Sequence, residues 1–338
     1  MDGEVIKLYI YDLGTSLQPE LIRSVYKNQE DFSKIEYNTP TPEEIPQFTL
    51  PVVFNLRSSE LQLGNTKIPV RVHVAIYELG TLSIRIRFVL DHASEELLTL
   101  LAFGKDAEIF SKQLAEKTKT KAESEISKQV HIEENELMEM YNFYFINDTK
   151  ERTLKSKNLI AGLLVNEPEA GKMDEDYIKD ILSRSISYYN DDAFFVGWEG
   201  AVLVDLLKSI DYEMLMAEIA NIQLIKQGFF ERIISSKAVS LNAKLNLFSD
   251  NLNEMLNKID NTVFGLGEWY LSRIYALFVS VFKLDELRRS VEQDASKISA
   301  RKSIINEKIV AKRNDTLELI VILLIVLEIV VETAYLLK

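Results

Sequence analysis

Residues 83–88 read SIRIRF, and this stretch decides the fold of the first half of the chain. Apolar and polar side chains alternate along it, and successive side chains of a β-strand point to opposite faces of a sheet. The three apolar side chains therefore share one face, whereas Arg85 and Arg87 point the other way. The alternation predicts a half-buried strand.

Other runs rich in β-branched and aromatic residues predict further strands on both sides of this one. These runs lie at residues 5–11, 51–56, 68–90, 141–146 and 159–165, and a tight β-hairpin is expected around residues 197–200. Residues 94–139 lack proline and are rich in helix-forming residues, and Asp174 is a suitable N-cap for a helix running to about Tyr188. The sequence therefore predicts an α+β (mixed α/β) N-terminal domain over residues 1–208.

The chain changes character after residue 211, because proline is absent from there to the end and helix-forming residues dominate. Apolar residues recur alternately four and three positions apart, which is the spacing of a coiled-coil seam. The seam consists of Ile234, Ala238, Leu241, Leu245, Phe248, Leu252, Met255 and Ile259. A turn at residues 261–267 and a second long helix from about Glu268 predict an antiparallel, coiled-coil-like helical hairpin over residues 209–316.

The last segment, residues 317–338, contains the apolar run LELIVILLIVLEIVVETAYLL. About twenty helical residues span about 30 Å, the thickness of a bilayer core, so the run predicts one transmembrane helix that enters the membrane directly from the second long helix. Glu328 and Glu332 oppose insertion, but the surrounding Leu, Ile and Val side chains outweigh them on insertion scales. A buried core helix of a soluble oligomer is the alternative.

The orientation follows from basic residues that precede the run. They place the bulk of the chain on the cytoplasmic side, or facing the matrix in a mitochondrion. These residues could also contact anionic headgroups or an acidic partner, whereas a solvated helix face is the alternative. They are Arg301, Lys302, Lys308, Lys312 and Arg313.

Three segments of the C-terminal part carry a resemblance to a known family. They are SLNAKLNLFSDNLNEML from Ser240, IINEKI from Ile304 and LELIVILLIVLEIVVE from Leu317. Together they resemble the family named after the protein "required for meiotic nuclear division". The preceding DAFFVGWEGAVLVD and EIANIQLIKQGFFERI look like related uncharacterised prokaryotic membrane proteins. The resemblance implies a tail-anchored protein that oligomerises through its helices.

Composition excludes several functions. The chain carries 39 Lys and Arg against 52 Asp and Glu, a formal charge of -13, which argues against general nucleic-acid binding. It contains no Cys, so disulfides, thiolate catalysis and Cys-ligated metals are excluded. The patterns GxxxxGK[ST], GxGxxG and GxSxG are absent. We therefore expect no cofactor, and the missing catalytic signature favours a non-enzymatic role.

Acidic residues near Trp198 form a candidate hairpin site, since carboxylate oxygens are the ligands that divalent cations prefer. The acids are Asp191, Asp192, Glu199 and Asp205. Acids are ordinary at turns and strand ends, so solvation is the alternative reading. The histidines His73, His92 and His131 show no metal-binding spacing, and an acid–base pair at Asp91 and His92 competes with a solvated turn.

Taken together, these patterns predict a tail-anchored, single-pass scaffold that oligomerises and presents the α/β domain to an unidentified protein partner. One alternative is an oligomeric membrane protein that uses Glu328 and Glu332 for assembly or proton movement. The other is a membrane-tethered enzyme that depends on the carboxylates around Trp198. The expected partners are the lipid bilayer, further copies of the chain and a second protein.

Overall fold

A single β-sheet organises the fold. The computed structural model describes residues 2–14, 17–18, 33–35, 51–128, 130–132, 137–206, 210–235, 269–293 and 296–297, with the isolated residues 307, 317, 320 and 324. The sheet of this described part has nine strands. They are β1 (Asp2–Asp12), β2 (Ser33–Ile35), β3 (Val52–Leu63), β4 (Thr66–Tyr77), β5 (Thr81–Leu90), β6 (Met138–Asn147), β7 (Ser185–Ile186), β8 (Ala193–Val196) and β9 (Gly200–Val204).

The order across the sheet is β2-β3-β4-β5-β1-β6-β9-β8-β7. Neighbouring strands run antiparallel except β6 and β9, which are parallel. The first strand of the chain, β1, therefore lies in the middle, hydrogen-bonded to β5 on one side and β6 on the other. The prediction of an N-terminal α+β domain is confirmed, and its sheet is mixed.

Strand β5 contains the SIRIRF stretch, and its position corrects the expectation of a half-buried strand. The strand and its alternation are as predicted, but helices cover both faces of the sheet. Arg85 is consequently only 1% exposed. Its charge is compensated inside the protein by Glu218, whose carboxylate accepts two hydrogen bonds from the guanidinium.

Four helices pack on one face of the sheet. They are α1 (Glu95–Phe103), α2 (Lys105–Ile126), α4 (Lys157–Val165) and α5 (Glu175–Ser183); the short α3 (Lys150–Thr153) precedes α4. Ser94 caps α1 by accepting from the Leu97 N–H, and Asp174 caps α5 as predicted. Helix α5 ends at Ser183 rather than near Tyr188, because the chain turns into β7 at Ser185.

Residues 159–165 were expected to form a strand and lie in helix α4 instead. An apolar run of seven residues fits a buried helix as well as a buried strand. The helix ends at Val165, and the next residue, Asn166, adopts a left-handed conformation (φ 55°) and donates its N–H to the Gly162 carbonyl. Gly162 also lets the following loop approach closely, because a Cβ there would lie 2.7 Å from that of Ala170.

The opposite face of the sheet is covered by α6 (Asp211–Ser235) and α7 (Trp269–Val281). The two helices contact each other and share one apolar core with β1, β6, β8 and β9. The first part of the predicted helical hairpin is thus a layer of the α+β fold. The predicted boundaries of the N-terminal domain (residues 1–208) and of the helical hairpin (residues 209–316) remain a prediction.

The described part of the second long helix spans Trp269–Val281, and the helix does not continue unbroken beyond it. The α-helix ends at Val281, and Lys283 adopts a left-handed backbone (φ 51°) before residues 284–293 become helical again. A positive φ cannot continue a right-handed helix, which is the physical reason for the break. The seam from Ala238 to Ile259 lies outside the described residues.

The predicted anchor also lies outside them, apart from Leu317, Ile320 and Leu324, which are helical and exposed. Among the helices that the structure does describe, none combines the length and the apolar character needed to cross a bilayer.

Candidate functional site

Lys7 on β1 is the most unusual side chain of the sheet. It lies on the central strand, opposite Asn142 of β6 and Ile86 of β5, and is only 4% exposed. It points to the face that α2 covers, since Tyr9, two residues on, hydrogen-bonds Ser111 of that helix at 2.9 Å. A lysine is rarely this buried without a partner.

A pocket of about 160 Å³ opens over Lys7. A cavity of ~150 Å³ is large enough to admit a benzene-sized molecule. Its floor is formed by strands β1 and β6, and its sides by α1, α2 and the loop after α4. The lining residues are Lys7, Ala102, Phe103, Glu108, Met140, Asn142, Asn166 and Pro168.

The chain builds this pocket with two tight connections. Gly104 joins α1 directly to α2, and its N–H donates to the Leu100 carbonyl at 2.9 Å. A Cβ at Gly104 would overlap that carbonyl oxygen, so a larger residue would push the two helices apart. On the other side, the left-handed Asn166 turns the chain after α4 and brings Pro168 to the rim.

The electrostatics of Lys7 follow from its burial. Burial lowers the pKa of the Lys7 amine below its usual range, and the negative charge of Glu108 opposes this effect. In the part of the chain that the structure describes, the amine forms no hydrogen bond and no ion pair. Lys226, by contrast, pairs with Asp12 at 2.5 Å. Lys7 thus combines a lowered pKa with an amine that lines the pocket and has no partner among the described residues.

Asn142 supplies the second unsatisfied group of the pocket. Its side chain is 3% exposed, and its Nδ2 donates to the Glu199 carbonyl at 3.3 Å. Its Oδ1 is buried and accepts no hydrogen bond within the described residues. This oxygen has almost no accessible surface, so it is not open to a ligand in the pocket. The pocket therefore offers the Lys7 amine and, at its exposed rim, the Glu108 carboxylate.

The predicted hairpin exists, because β8 and β9 pair antiparallel across a turn at residues 197–199. Asp192 is buried and accepts from the Tyr188 N–H at 2.8 Å, while the carbonyl of Asp191 accepts from the Lys150 N–H at 2.7 Å. These contacts give the two acids structural roles at the start of the hairpin.

The other predicted hairpin residues have separate surroundings. Trp198 is 49% exposed, with its ring 5.5 Å from that of Phe282 in an edge-on arrangement. The backbone of Glu199 hydrogen-bonds Asn142 and Leu164, and the Asp205 N–H donates to Ile146. The cation site predicted from these hairpin acids remains a prediction.

The described residues contain one group of three potential metal ligands whose ligand atoms lie within 4.8 Å of one another: Asp2, Asp91 and His92. Asp2 accepts a hydrogen bond from the His92 N–H at 2.7 Å, which lowers the pKa of Asp2. His92 is 88% exposed in the turn after β5, so the solvated-turn reading of Asp91 and His92 fits the structure. His73, in contrast, is buried on β4.

The remaining predicted residues lie outside the described part of the chain. They are the two membrane carboxylates Glu328 and Glu332 and the basic residues Arg301, Lys302, Lys308, Lys312 and Arg313. The Lys7 pocket was missed by sequence reasoning. The sequence feature that could have indicated it is VIKLYIY, residues 5–11. Apolar side chains there occupy both faces of the strand around the single lysine.

Comparison with known proteins identifies the family. The family model described as "Uncharacterized protein MJ0711, N-terminal domain" matches residues 2–209, which is more than half of the chain. The chain belongs to this family. It is also 22% identical over 279 residues to the uncharacterized protein MJ0711 of Methanocaldococcus jannaschii, covering 78% of this chain and 82% of that protein. No solved structure matches the chain.

This membership corrects two predictions. The resemblance to the "required for meiotic nuclear division" family is wrong, because a different family matches residues 2–209 and the Methanocaldococcus jannaschii relative aligns over 279 residues. The tail-anchored, single-pass scaffold is wrong too: the family and this relative are described only as uncharacterized, and no described helix is long and apolar enough to cross a bilayer. The main support for the membrane anchor was the length of the apolar run in residues 317–337, and buried helices also contain such runs. The membrane-based alternatives lose the same support. The localisation at a membrane with the bulk of the chain cytoplasmic or matrix-facing, and the expected partners (the lipid bilayer, a second protein and further copies of the chain), remain predictions.

Proposed function

We propose that the α+β domain is a binding module for a small hydroxylated molecule, held in the Lys7 pocket. The observation that carries the proposal is the Lys7 amine on the floor of the pocket. Lys7 is almost fully buried and has no hydrogen-bond or ion-pair partner among the described residues. A lysine is rarely buried this deeply unless it is paired.

The class of ligand follows from the polar groups available. The Glu108 carboxylate accepts hydrogen bonds, so it favours a ligand that carries hydroxyl donors. The Lys7 amine favours an oxygen acceptor or a carbonyl carbon. Glu108 disfavours a strongly anionic ligand, because two negative charges would share one small cavity. A small, uncharged hydroxy-carbonyl compound suits both groups.

The pocket also has the composition of a ligand site. Ala102, Phe103, Met140 and Pro168 supply apolar side chains, but more of the pocket surface is polar than apolar. A concave site with convergent polar groups is a common form of small-molecule site. The polar surface suits a ligand rich in hydroxyl groups.

The test is thermal unfolding of the full chain with glycolaldehyde, dihydroxyacetone, ethylene glycol and glycerol as probes. A ligand at 100 times its Kd stabilises a protein by about 2.7 kcal/mol, which raises the unfolding temperature measurably. At least one probe should stabilise the wild type and leave Lys7→Met unaffected. The matched control is Lys105→Met, which removes an exposed lysine from the start of the helix that carries Glu108. An equal response of wild type and Lys7→Met would disprove the proposal, as would no response to any probe.

A further inference from the structure

We propose that Lys7 is a nucleophile that forms an imine with the carbonyl carbon of its ligand. This inference rests on the proposed binding function and adds a covalent step to it. It follows from the position of one amine at the floor of an accessible pocket, facing a cavity large enough for a small aldehyde or ketone.

The environment of Lys7 meets the first requirement of a nucleophilic lysine, which is a neutral amine. The lone pair attacks only when the ammonium has lost its proton, and burial in apolar surroundings favours that form. Burial lowers the pKa of Lys7 in this way. No carboxylate within the described residues forms an ion pair that would hold its proton.

Lys226 provides the internal comparison. It is also largely buried, with a side chain 12% exposed, but its Nζ lies 2.5 Å from the carboxylate of Asp12. Its amine is engaged by that carboxylate, whereas the Lys7 amine has no such contact among the described residues. The two lysines are therefore alike in burial and opposite in their expected reactivity.

The chemistry balances without an added oxidant or reductant. The Lys7 nitrogen forms a bond to the carbonyl carbon, the C=O π bond breaks, and the oxygen takes up a proton to give a carbinolamine. The nitrogen then loses its remaining proton, the C–O bond breaks, and water leaves as the C=N bond forms. The net change is amine plus carbonyl to imine plus water.

One pocket residue has a role in this sequence. Glu108 lines the same pocket and its charge acts on Lys7. Its carboxylate is the group that would receive the proton from nitrogen and return it to the leaving oxygen.

The experiment is reductive trapping of the full chain with glycolaldehyde and cyanoborohydride at pH 7, followed by peptide mass mapping. Hydride reduces the imine to a stable hydroxyethyl-lysine. We expect the adduct on Lys7 well before Lys105 or Lys226 is labelled. Ethylene glycol, which carries hydroxyls but no carbonyl, should slow labelling of Lys7 and leave Lys105 unchanged. This competition arm uses only the wild-type protein, so it does not depend on the folding of a variant.

Two variants sharpen the result. Lys7→Arg keeps a cation but cannot form an imine, so the preferential adduct should be lost. Glu108→Gln removes the charge that favours the ammonium form of Lys7, so the pH dependence of trapping at Lys7 should shift to lower pH, while Lys105 is labelled as before. Labelling of Lys7 no faster than that of Lys105 would overturn the imine proposal. If ethylene glycol still stabilised the wild type and not Lys7→Met in that case, the binding function would survive; with neither effect, both proposals fall.

Discussion

Arg85 on β5 and Glu218 on α6 form a bidentate ion pair in the interior of the protein. Arg85 Nε donates to Oε1 at 2.7 Å and Nη2 to Oε2 at 2.6 Å, and both side chains are at most 1% exposed. Ser83 also donates to Oε1 at 2.6 Å, and the Tyr77 hydroxyl donates to Oε2. The carboxylate therefore accepts four hydrogen bonds, which offset the cost of its burial and join α6 to the sheet.

Removing one member of this pair should destabilise the protein strongly. Glu218→Gln leaves the Arg85 charge buried without a counter-charge, and such a loss typically costs about 3–5 kcal/mol. The free energy of unfolding from urea titration measures it. Glu60→Gln, which breaks an exposed ion pair with Lys67, is the matched control and should cost at most about 1 kcal/mol. If Glu218→Gln lowered the free energy of unfolding as little as the control does, the buried ion pair would contribute little to holding α6 on the sheet.

His73 should make stability depend on pH in the acidic range. Burial, together with the positive charges of Arg87, Arg85 and Arg71, lowers the pKa of His73 to about 3 from an unfolded value of 6.5. Between these values the unfolded chain binds the proton and the folded protein does not. Stability is therefore unaffected above about pH 6.5 and falls by about 1.4 kcal/mol per pH unit, from this group alone, as the pH drops towards 3.

The variant His73→Gln tests this dependence, because every other group titrates in both proteins. The difference in unfolding free energy between wild type and variant should change steadily between pH 6.5 and 4, in favour of the variant at low pH. Urea titrations at several pH values measure it. A constant difference over that range would contradict the expected burial of a neutral imidazole.

Gly197, in the turn between β8 and β9, should not tolerate a side chain. A Cβ there would overlap the Leu164 carbonyl oxygen and lie 2.7 Å from the Leu164 Cβ on α4. Gly197→Ala should therefore force the hairpin away from the helix and cost about 1–3 kcal/mol, the usual range for overpacking. Gly171→Ala, where a Cβ meets open space, should be nearly neutral in the same thermal unfolding experiment. Equal stabilities of the two variants would show that the turn can move freely.

Lys7 should reduce the stability of the unliganded protein. Because burial lowers its pKa, the folded state binds this proton less tightly than the unfolded chain does, and this difference costs stability at neutral pH. Lys7→Met should thus raise the unfolding temperature at pH 7. The gain should shrink as the pH rises towards 10.5, the ordinary pKa of a lysine. A Lys7→Met variant less stable than wild type at pH 7 would indicate that the amine has a stabilising partner.

The strands were the most predictable part of the fold. Alternation in residues 83–88 predicted β5 correctly, but periodicity reports which side chains share a face and not what covers that face. Glu218 lies 133 residues from Arg85, so nothing local indicated that the arginine face is buried. Residues 159–165 were misassigned for a related reason: a short, wholly apolar run has no periodicity that distinguishes a helix from a strand.

The candidate site was less predictable than the fold. Lys7 looks like an ordinary solvent-facing residue of an alternating strand, and only its flanking residues Ile6, Leu8 and Tyr9 suggest burial on both faces. Its pocket is assembled from α1, α2 and the loop after α4, which meet only through folding. The acids around Trp198 drew attention because they are clustered in sequence, yet their described contacts are largely those that shape a hairpin.

The central place of β1 has a consequence for how the protein is made. This strand is synthesised before both of its neighbours, which end at Leu90 and Asn147. A nascent chain must therefore leave β1 unpaired until β5 has been synthesised and leave its other edge open until β6 follows, a period in which chaperones and proteases compete for it. Stalled chains should gain full protease resistance in β1 only after Asn147 has emerged from the exit tunnel.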